Sequence, residues 1–265
     1  MPTKPLSKVL DILDGMRLAL GLSLPAILRA LWASPALIFK PAVLSRIGMD
    51  AIWVQFGQGG DENSQKMKTE LLRDACGTVL DLGAAHAHTA KYLDHSKVTK
   101  YIALEPNTFM HALLRANAQA AGFNEEDGTL LILSCGAEDT ATILSALDAP
   151  VDTIVSILTL CSVPKPQATL GALIMEVLAP GGTLILHEHV LNHDANVARW
   201  QKRLKPFWRL VFDGCEIDRA TDVWARDLVD DGGSSVWQEA ALWEPGMDMA
   251  DSLLWRQNGR FVKKI

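Results

Sequence analysis

The sequence predicts an α/β fold: a mostly parallel sheet, preceded by a helical cap and closed by an antiparallel hairpin. Short aliphatic and β-branched runs alternate with helix-like segments over 78–189, and parallel neighbours require such crossover helices. Tryptophan becomes frequent after His193, and two strand-like runs, 236–243 and 252–262, end the chain. Ligands are therefore expected at the carboxyl ends of the parallel strands.

The elements of the parallel part follow from local patterns. Aliphatic and β-branched runs predict strands, apolar residues at helical spacing predict helices, and a Pro-Gly-Gly sequence predicts a turn. The strands are expected at 78–82, 100–104, 130–134, 151–157 and 183–189, the helices at 89–94, 109–121, 140–147 and 167–178, and the turn at 180–182.

Two domains are predicted: a helical cap or lid at 1–63 and the α/β domain at 64–265. The polar, glycine-rich stretch 57–64 predicts a linker that leads into a helix at 64–74. Proline removes a helical hydrogen bond, so the cap is expected to consist of several short helices. The prolines concerned are Pro25, Pro35 and Pro41.

The apolar run 18–39 within the cap raises the question of a membrane segment. Arg29 and two prolines interrupt it, which favours amphipathic cap helices, with peripheral membrane contact as the alternative. Asp11 and Asp14 precede the run, a pattern that does not fit a signal peptide.

Composition restricts the class of partner and compartment. The formal net charge is −6 and the pI is about 5.6, whereas nucleic-acid binding normally requires clustered Lys and Arg. The four cysteines form no CxxC pair, which indicates a reducing compartment and no structural zinc site. We expect a cytoplasmic protein with a small-molecule partner, no nucleic-acid partner and no metal.

The first strand ends in a candidate nucleotide-binding turn. Asp81 and Gly83 stand where the strand meets the next helical segment, and backbone amides there are able to face a ligand. The same Asp-x-Gly pattern also occurs in ordinary strand-end turns. Glu105 strengthens the binding interpretation, because a carboxylate at the end of the next strand accepts both hydroxyls of a ribose. The alternative is a surface acid.

Two further strand ends complete this predicted cofactor site. The third strand leads into 136–139, where an adenine is expected to contact a backbone amide and an acidic side chain; Glu138 is the candidate, and Asp139 is also suited to cap the following helix. The fourth strand ends at Leu158 and Thr159, beside the other end of the cofactor.

From about residue 52 onward, the chain resembles the class I S-adenosylmethionine-dependent methyltransferases, in particular the methyltransferase-like-seven group of small-molecule thiol methyltransferases and their fungal relatives. This resemblance implies a Rossmann-like sheet and S-adenosylmethionine as cofactor; in that group the N-terminus also anchors to membrane. The motifs that carry it are Asp81-x-Gly83 and the stretches 105–107, 136–139, 159–163, 179–182, 188–190 and 212–215.

One departure affects the predicted cofactor turn. The resemblance implies glycine where this chain has Ala85 and Ala87. A positive φ at either position costs alanine about 1–2 kcal/mol, and the added methyl group crowds a ligand. The predicted cofactor-binding residues are Asp81, Gly83, Ala85, His86, Glu105, Pro106, Asn107, Gly136, Ala137, Glu138, Leu158 and Thr159.

His189 and Asp213 are the candidate catalytic residues. Methyl transfer mainly requires alignment, with proton removal where the acceptor needs it. His189 is a candidate general base or hydrogen-bond donor to the substrate, and the alternative is a histidine packed in the interior. Asp213 is a candidate for orienting His189 or a cationic substrate, and the alternative is that it ends a helix. His187 and His189 on one strand are too few ligands to predict a metal. The predicted substrate pocket consists of Trp32, Trp53, Cys161, Trp200 and Trp208, with inert packing as the alternative for Cys161.

Three functions are compatible with these residues. The first is S-adenosylmethionine-dependent methyl transfer to a thiol, hydroxyl or activated carbon of a small, largely apolar metabolite. The second is a methyltransferase fold repurposed as a pericyclase in secondary metabolism, as in some fungal proteins that resemble this group. The third is a non-catalytic cofactor-binding protein.

Overall fold

One seven-stranded mixed sheet forms the centre of the structure, a computed structural model that describes residues 4–245 and 252–265. Its strands are β1 (Gly77–Leu82), β2 (Val98–Leu104), β3 (Leu130–Leu133), β4 (Val151–Ile157), β5 (Leu178–His189), β6 (Trp237–Trp243) and β7 (Arg256–Lys263).

The strand order is β3-β2-β1-β4-β5-β7-β6. Strands β1 to β5 are parallel, and β7 is antiparallel to both β5 and β6. This arrangement confirms the predicted parallel sheet with its closing hairpin. The central strands are buried almost throughout, as their continuous aliphatic sequences require. Because β1 to β4 run the same way, their carboxyl ends meet at one edge, where the predicted cofactor residues lie.

Helices and short 3₁₀ segments connect the strands, and two long helices precede them. Short 3₁₀ segments lie at Pro35–Phe39, Ala90–Tyr92 and Thr108–Met110. The α-helices are α1 (Lys4–Ala33), α2 (Pro41–Leu72), α3 (His111–Ala120), α4 (Thr140–Ala146), α5 (Pro166–Ala172), α6 (Ala195–Val211) and α7 (Thr221–Arg226).

The predicted cap of several short helices is wrong, because α1 and α2 are long and continuous. Pro25 lies inside α1, and the predicted linker at 57–64 is helical. Tertiary contacts stabilise this glycine-rich part of α2: the buried Asp61 accepts hydrogen bonds from Lys68 Nζ at 2.7 Å and from the Tyr92 hydroxyl at 3.0 Å. The proposed boundary at residue 63 lies inside α2, and the division into two domains remains a prediction.

The beginning and the end of α1 differ in their surroundings. Its first half packs Val9, Ile12 and Met16 against α6, whereas Leu24 and Leu28 are exposed. The stretch 8–33 is long and apolar enough to cross a membrane by length and composition alone, with a mean hydropathy of 1.3 and 17% of the window buried. Residues 1–3 of the predicted cap lie outside the described residues.

Three smaller predictions need correction. The expected turn at 180–182 is an irregularity within β5, where the pairing with β4 shifts register and Gly181 has a φ of +76°. The helix expected at 89–94 is reduced to the 3₁₀ turn Ala90–Tyr92. Residues 252–255 precede β7 as turn and coil rather than extending it.

Candidate active site

A cleft of about 390 Å³ lies at the carboxyl edge of the parallel strands, with α2 on its other side. The segments that follow β1, β2, β3 and β4 all contribute to it, as the sequence predicted. Of the predicted cofactor residues, those lining the cleft are Asp81, Gly83, Ala85, Glu105, Pro106, Asn107, Gly136, Ala137, Glu138, Leu158 and Thr159.

Glu105 is the buried acid of this cleft. Its side chain follows β2 and is 6% exposed. One carboxylate oxygen accepts the Ala85 N–H at 2.9 Å and the other accepts the Asn107 N–H at 2.7 Å. Burial raises the pKa of Glu105, although these two donors act in the opposite direction. Each oxygen keeps a further lone pair, so the group is able to accept two more hydrogen bonds from a ligand.

The turn after β1 requires glycine at position 83. Gly83 has a φ of +60°, and a Cβ there would lie 2.6 Å from Thr159 side-chain atoms. Thr159 is itself held in place, because its hydroxyl donates to the Leu82 carbonyl at 2.7 Å. The turn after β1 and the end of β4 are therefore packed directly on each other, and both border the cleft.

Backbone strain is concentrated around the cleft. Ala85 and Ala87 have φ values of +47° and +55°, which meets the condition under which alanine costs about 1–2 kcal/mol at each position. Leu158 and Asp213, which also line the cleft, have φ values of +56° and +44°. Strained residues of this kind cluster at functional sites when the surrounding structure enforces them.

Asp81 lies at the floor of the cleft in a buried pair with Tyr101. The Tyr101 hydroxyl donates to Asp81 Oδ2 at 2.7 Å. Burial raises the pKa of Asp81 to about 6 and that of Tyr101 above its ordinary range. The aspartate is thus costly to keep ionised, which is characteristic of residues retained for function.

The segment after β3 contains two acids, Glu138 and Asp139, and the structure gives them different positions. Asp139 caps α4, accepting the Thr142 N–H at 3.2 Å. Glu138 instead lines the cleft, with its carboxylate folded over Gly136, where an added Cβ would meet Oε2 at 2.4 Å. Glu138 is therefore the acid available to a ligand.

The cap is hydrogen-bonded to the cleft. Asn107 Nδ2 donates to the Arg46 carbonyl at 2.9 Å, and Ser45 Oγ donates to Asp213 Oδ1 at 2.5 Å. Asp213 is thereby placed in the cleft by α2 rather than beside His189. Of the predicted aromatic pocket, Trp53 of α2 lines the cleft.

His86 and Trp32 do not lie where a ligand role would require. The His86 ring is buried and lies 3.2 Å from Asp50 of α2, so this residue attaches the turn to the cap. Trp32 is 92% exposed near the end of α1. Its assignment to the substrate pocket is wrong because the continuous α1 carries it away from the sheet edge.

His189, Cys161 and Trp208 belong to a separate buried cluster between the sheet, α1 and α6. Trp200 packs at the margin of the same cluster, with the Arg203 guanidinium 5.3 Å from its ring. The structure does not bring these four residues to the cleft. His189 is buried in this cluster and does not line the cleft, and the packing alternative for Cys161 fits its burial.

His88 is the main cleft residue that the sequence analysis missed. It stands in the β1 turn, lines the cleft, and its Nε2 is buried with no hydrogen-bond partner among the described residues. Burial lowers its pKa. Gly57 of α2 lies against it, since a Cβ there would be 2.8 Å from Nε2. Its position two residues beyond His86 in the same motif was the available signal.

A family model described as a methyltransferase domain matches residues 59–242. Similar curated proteins include thiol S-methyltransferase TMT1B of Rattus norvegicus, 40% identical over 75 residues, and TMT1A of Homo sapiens, 41% identical over 73 residues. These matches cover 28% and 27% of this chain, and the chain spans only 30% of the length of each of these curated relatives.

Solved structures share the fold at low identity. An O-methyltransferase family protein from Burkholderia thailandensis has a TM-score of 0.56 at 14% identity, covering 83% of this chain and 60% of its own. A DhpI-SAH complex has a TM-score of 0.54 at 14% identity, covering 87% and 98%. These likenesses confirm the predicted Rossmann-like class I methyltransferase fold.

Proposed function

The chain belongs to the methyltransferase domain family, and from that premise we propose that it transfers a methyl group from S-adenosylmethionine to a small, largely apolar metabolite. A thiol is the favoured acceptor class, because the similar curated proteins are thiol S-methyltransferases. The observation that carries the proposal is Glu105, a buried acid at the end of β2 that shares a cleft with a glycine turn after β1.

The cleft residues fit this cofactor. Glu105 has lone pairs free for a ribose diol, Glu138 lines the cleft and is the acid we assign to an adenine amine, and the tight turn at Gly83, packed against Thr159, borders the same cleft. Asp81 is a further acceptor, suited to an ammonium group. When bound, the cofactor supplies a methyl group on a positively charged sulfur, the electrophile of the reaction.

His88 is the residue we assign to proton removal. A thiol or hydroxyl acceptor loses a proton during transfer, and a base near neutral pKa accepts it most effectively. The lowered pKa keeps the His88 imidazole neutral at pH 7, the residue lines the cleft, and its Nε2 has no hydrogen-bond partner among the described residues. Asp213, which also lines the cleft and is hydrogen-bonded to Ser45 of the cap, is the residue we assign to orienting the acceptor.

Labelled S-adenosylmethionine with a panel of alkyl and aryl thiols, phenols and activated carbon acids tests the proposal. Transfer of label to a thiol supports it. Glu105→Gln should weaken cofactor binding at least tenfold by calorimetry, because an amide replaces one acceptor oxygen with a donor facing an N–H. Glu125→Gln is the matched control, since Glu125 pairs with Arg115 on the exposed surface. Equal binding by both variants would refute the Glu105 assignment.

His88→Gln tests the proton acceptor separately. We expect a fall in turnover of about 10²-fold with hydroxyl acceptors, and less with thiols that are already partly ionised. Cofactor affinity should change little. His95→Gln, at an exposed histidine bonded to the Ala121 carbonyl, is the control. A loss of affinity without a loss of turnover would reassign His88 to binding.

A pericyclase is the second candidate, and the strained alanines favour it. Ala85 and Ala87 carry methyl groups at left-handed positions of the cofactor turn, which lowers the affinity expected for a cofactor. A cyclase product has the mass of its substrate, and no demethylated cofactor accumulates. Cofactor binding without turnover of any small molecule would instead identify a non-catalytic binding protein.

A further inference from the structure

The buried cluster behind the cleft contains three side chains that the proposed reaction does not use. Cys161 follows β4, His189 ends β5, and Cys215 follows α6. The two sulfurs are 3.2 Å apart and His189 Nδ1 is 3.8 Å from Cys215 Sγ. All three are buried, and His189 Nε2 has no hydrogen-bond partner among the described residues. Each residue belongs to a different one of three motifs named in the sequence analysis, which are the stretches 159–163, 188–190 and 212–215.

We propose that Cys161 and Cys215 are an oxidative modification site, at which a small hydroperoxide closes an intramolecular disulfide. This inference does not rest on the proposed methyl transfer. The backbone already holds the two segments together, because the Glu216 N–H donates to the Cys161 carbonyl at 2.9 Å. Arg219 braces the same region by donating to the Val163 carbonyl at 2.7 Å. The sulfurs need to approach by only about 1 Å to reach bonding distance.

The charges around the pair favour a thiolate at Cys215. Hydrogen bonding with Cys161, with His189 beside it, lowers the pKa of the Cys215 thiol well below its ordinary range. Arg256, paired with His189 across β5 and β7, interacts electrostatically with both sulfurs, and its Nε is buried without a partner in the described ranges. A buried cation that lacks a carboxylate partner stabilises a nearby thiolate, the form that attacks peroxides.

The chemistry balances with one peroxide. The Cys215 thiolate attacks one peroxide oxygen, the O–O bond breaks, and hydroxide leaves, which produces a sulfenic acid. The Cys161 sulfur then attacks the Cys215 sulfur and displaces a second hydroxide, and the two protons needed come from the Cys161 thiol and the original Cys215 thiol. Two thiols are oxidised to one disulfide while hydrogen peroxide is reduced to two waters.

The cavity nearest to the pair is separated from Cys215 by Trp208. Trp208 lies beside Cys215 and also lines a second cavity of about 150 Å³, together with Lys8, Ile12 and Gly15 of α1. The bond would join the segment containing Ser162 to the segment containing Asp213, and both of these residues line the cleft. Oxidation would therefore fix the acceptor side of the cleft.

A bound metal is the competing interpretation, and the geometry favours the disulfide. Two thiolates on a tetrahedral zinc are about 3.8 Å apart, farther than the sulfurs here, and a structural zinc takes four protein ligands. Within residues 4–245 and 252–265, this site offers three candidate ligands, Cys161, His189 and Cys215. A second cation beside Arg256 would also raise the buried positive charge.

Peptide mapping of the full chain tests the proposal without any variant. The reduced protein is treated with hydrogen peroxide, remaining thiols are alkylated, and peptides are analysed by mass spectrometry. We expect a cross-linked peptide pair containing Cys161 and Cys215, reversed by dithiothreitol. Recovery of both as alkylated thiols, while exposed Cys76 is oxidised, would overturn the proposal, as would one zinc ion per chain that protects both.

Variants provide the matched controls. Cys76→Ser and Cys135→Ser should retain the cross-link, whereas Cys161→Ser and Cys215→Ser should abolish it. Oxidation should also raise the Tm of the wild-type chain reversibly and leave that of Cys161→Ser unchanged. An equal Tm shift in both proteins would contradict a specific disulfide. Because these measurements report thiols and unfolding, they are independent of whether any methyl transfer is detected.

Discussion

The carboxyl edge of the sheet and the N-terminal cap illustrate opposite relations between sequence and structure. At the edge, short segments after β1, β2, β3 and β4 converge on one cleft, and each is held by backbone hydrogen bonds or a turn glycine. In the cap, α1 and α2 run through proline and glycine and expose large apolar side chains such as Leu28 and Trp32. In the first region the local sequence already indicates the structure that forms, whereas in the second the structure departs from what the prolines and glycines of the local sequence predict.

The largest expected effect is at the turn of the edge. Gly83→Ala introduces a Cβ at a φ of +60°, 2.6 Å from Thr159 atoms. Left-handed strain and overpacking together should lower the free energy of unfolding by about 3–5 kcal/mol. Urea denaturation measures the change. Gly59→Ala, at a helical site where a Cβ meets nothing within 4 Å, is the control and should be neutral or stabilising. Comparable losses at both positions would contradict the tight packing of the turn.

Asp81→Asn should reveal the cost of the buried acid at the same edge. The folded pKa of Asp81, about 6, is above its ordinary value of 3.8. Its favourable contribution is therefore complete below about pH 4 and is lost as the pH rises through about 6. The amide does not titrate and still accepts from Tyr101, so at pH 7 the variant should be more stable by on the order of 3 kcal/mol.

The pH dependence distinguishes this explanation from a general packing effect. The stability difference between Asp81→Asn and wild type should vanish near pH 4 and grow toward pH 7, as followed by thermal unfolding. Tyr101→Phe, which removes the donor, should instead destabilise the chain most at pH 7. Parallel stability curves for wild type and Asp81→Asn would contradict the raised pKa.

Ala85→Gly should have a smaller effect, in the opposite direction from Gly83→Ala. Relief of the left-handed strain at a φ of +47°, less the entropy that glycine loses on folding, should stabilise the chain by about 1 kcal/mol. Cofactor affinity should rise in parallel, measured by calorimetry. Ala90→Gly, in a 3₁₀ turn without positive φ, should be destabilising. A loss of stability in Ala85→Gly would mean that the alanine methyl packs productively.

Trp32→Gln tests the cap, and it should have the smallest effect on the free energy of unfolding. The side chain is 92% exposed, so the free energy of unfolding should change by less than about 0.5 kcal/mol. Trp208→Gln, the same change at a buried position, should cost several times more. A large loss in Trp32→Gln, measured by urea denaturation, would show that the outer face of α1 is covered in solution.

Local sequence patterns were sufficient for the sheet and for most of the cleft. Aliphatic runs predicted the parallel strands, and Gly83, Glu105 and Glu138 were identified because strand ends in such sheets meet at one edge. Burial on both faces and the need for positive φ leave few residue choices, so these signals are short-range and specific. The resemblance implied glycine at Ala85 and Ala87, with a cost to alanine if φ is positive there, and both residues do have positive φ.

Contacts between distant segments determined the remainder. The helix over 57–64 depends on Asp61 meeting Lys91 and Tyr92, and the position of Asp213 depends on Ser45 of the cap. Cys161, His189 and Cys215 were visible as separate residues, but their approach required the packing of α6 against the sheet. Periodicity describes what a segment prefers on its own, whereas the free energy of burial and of paired charges is set by partners far along the chain.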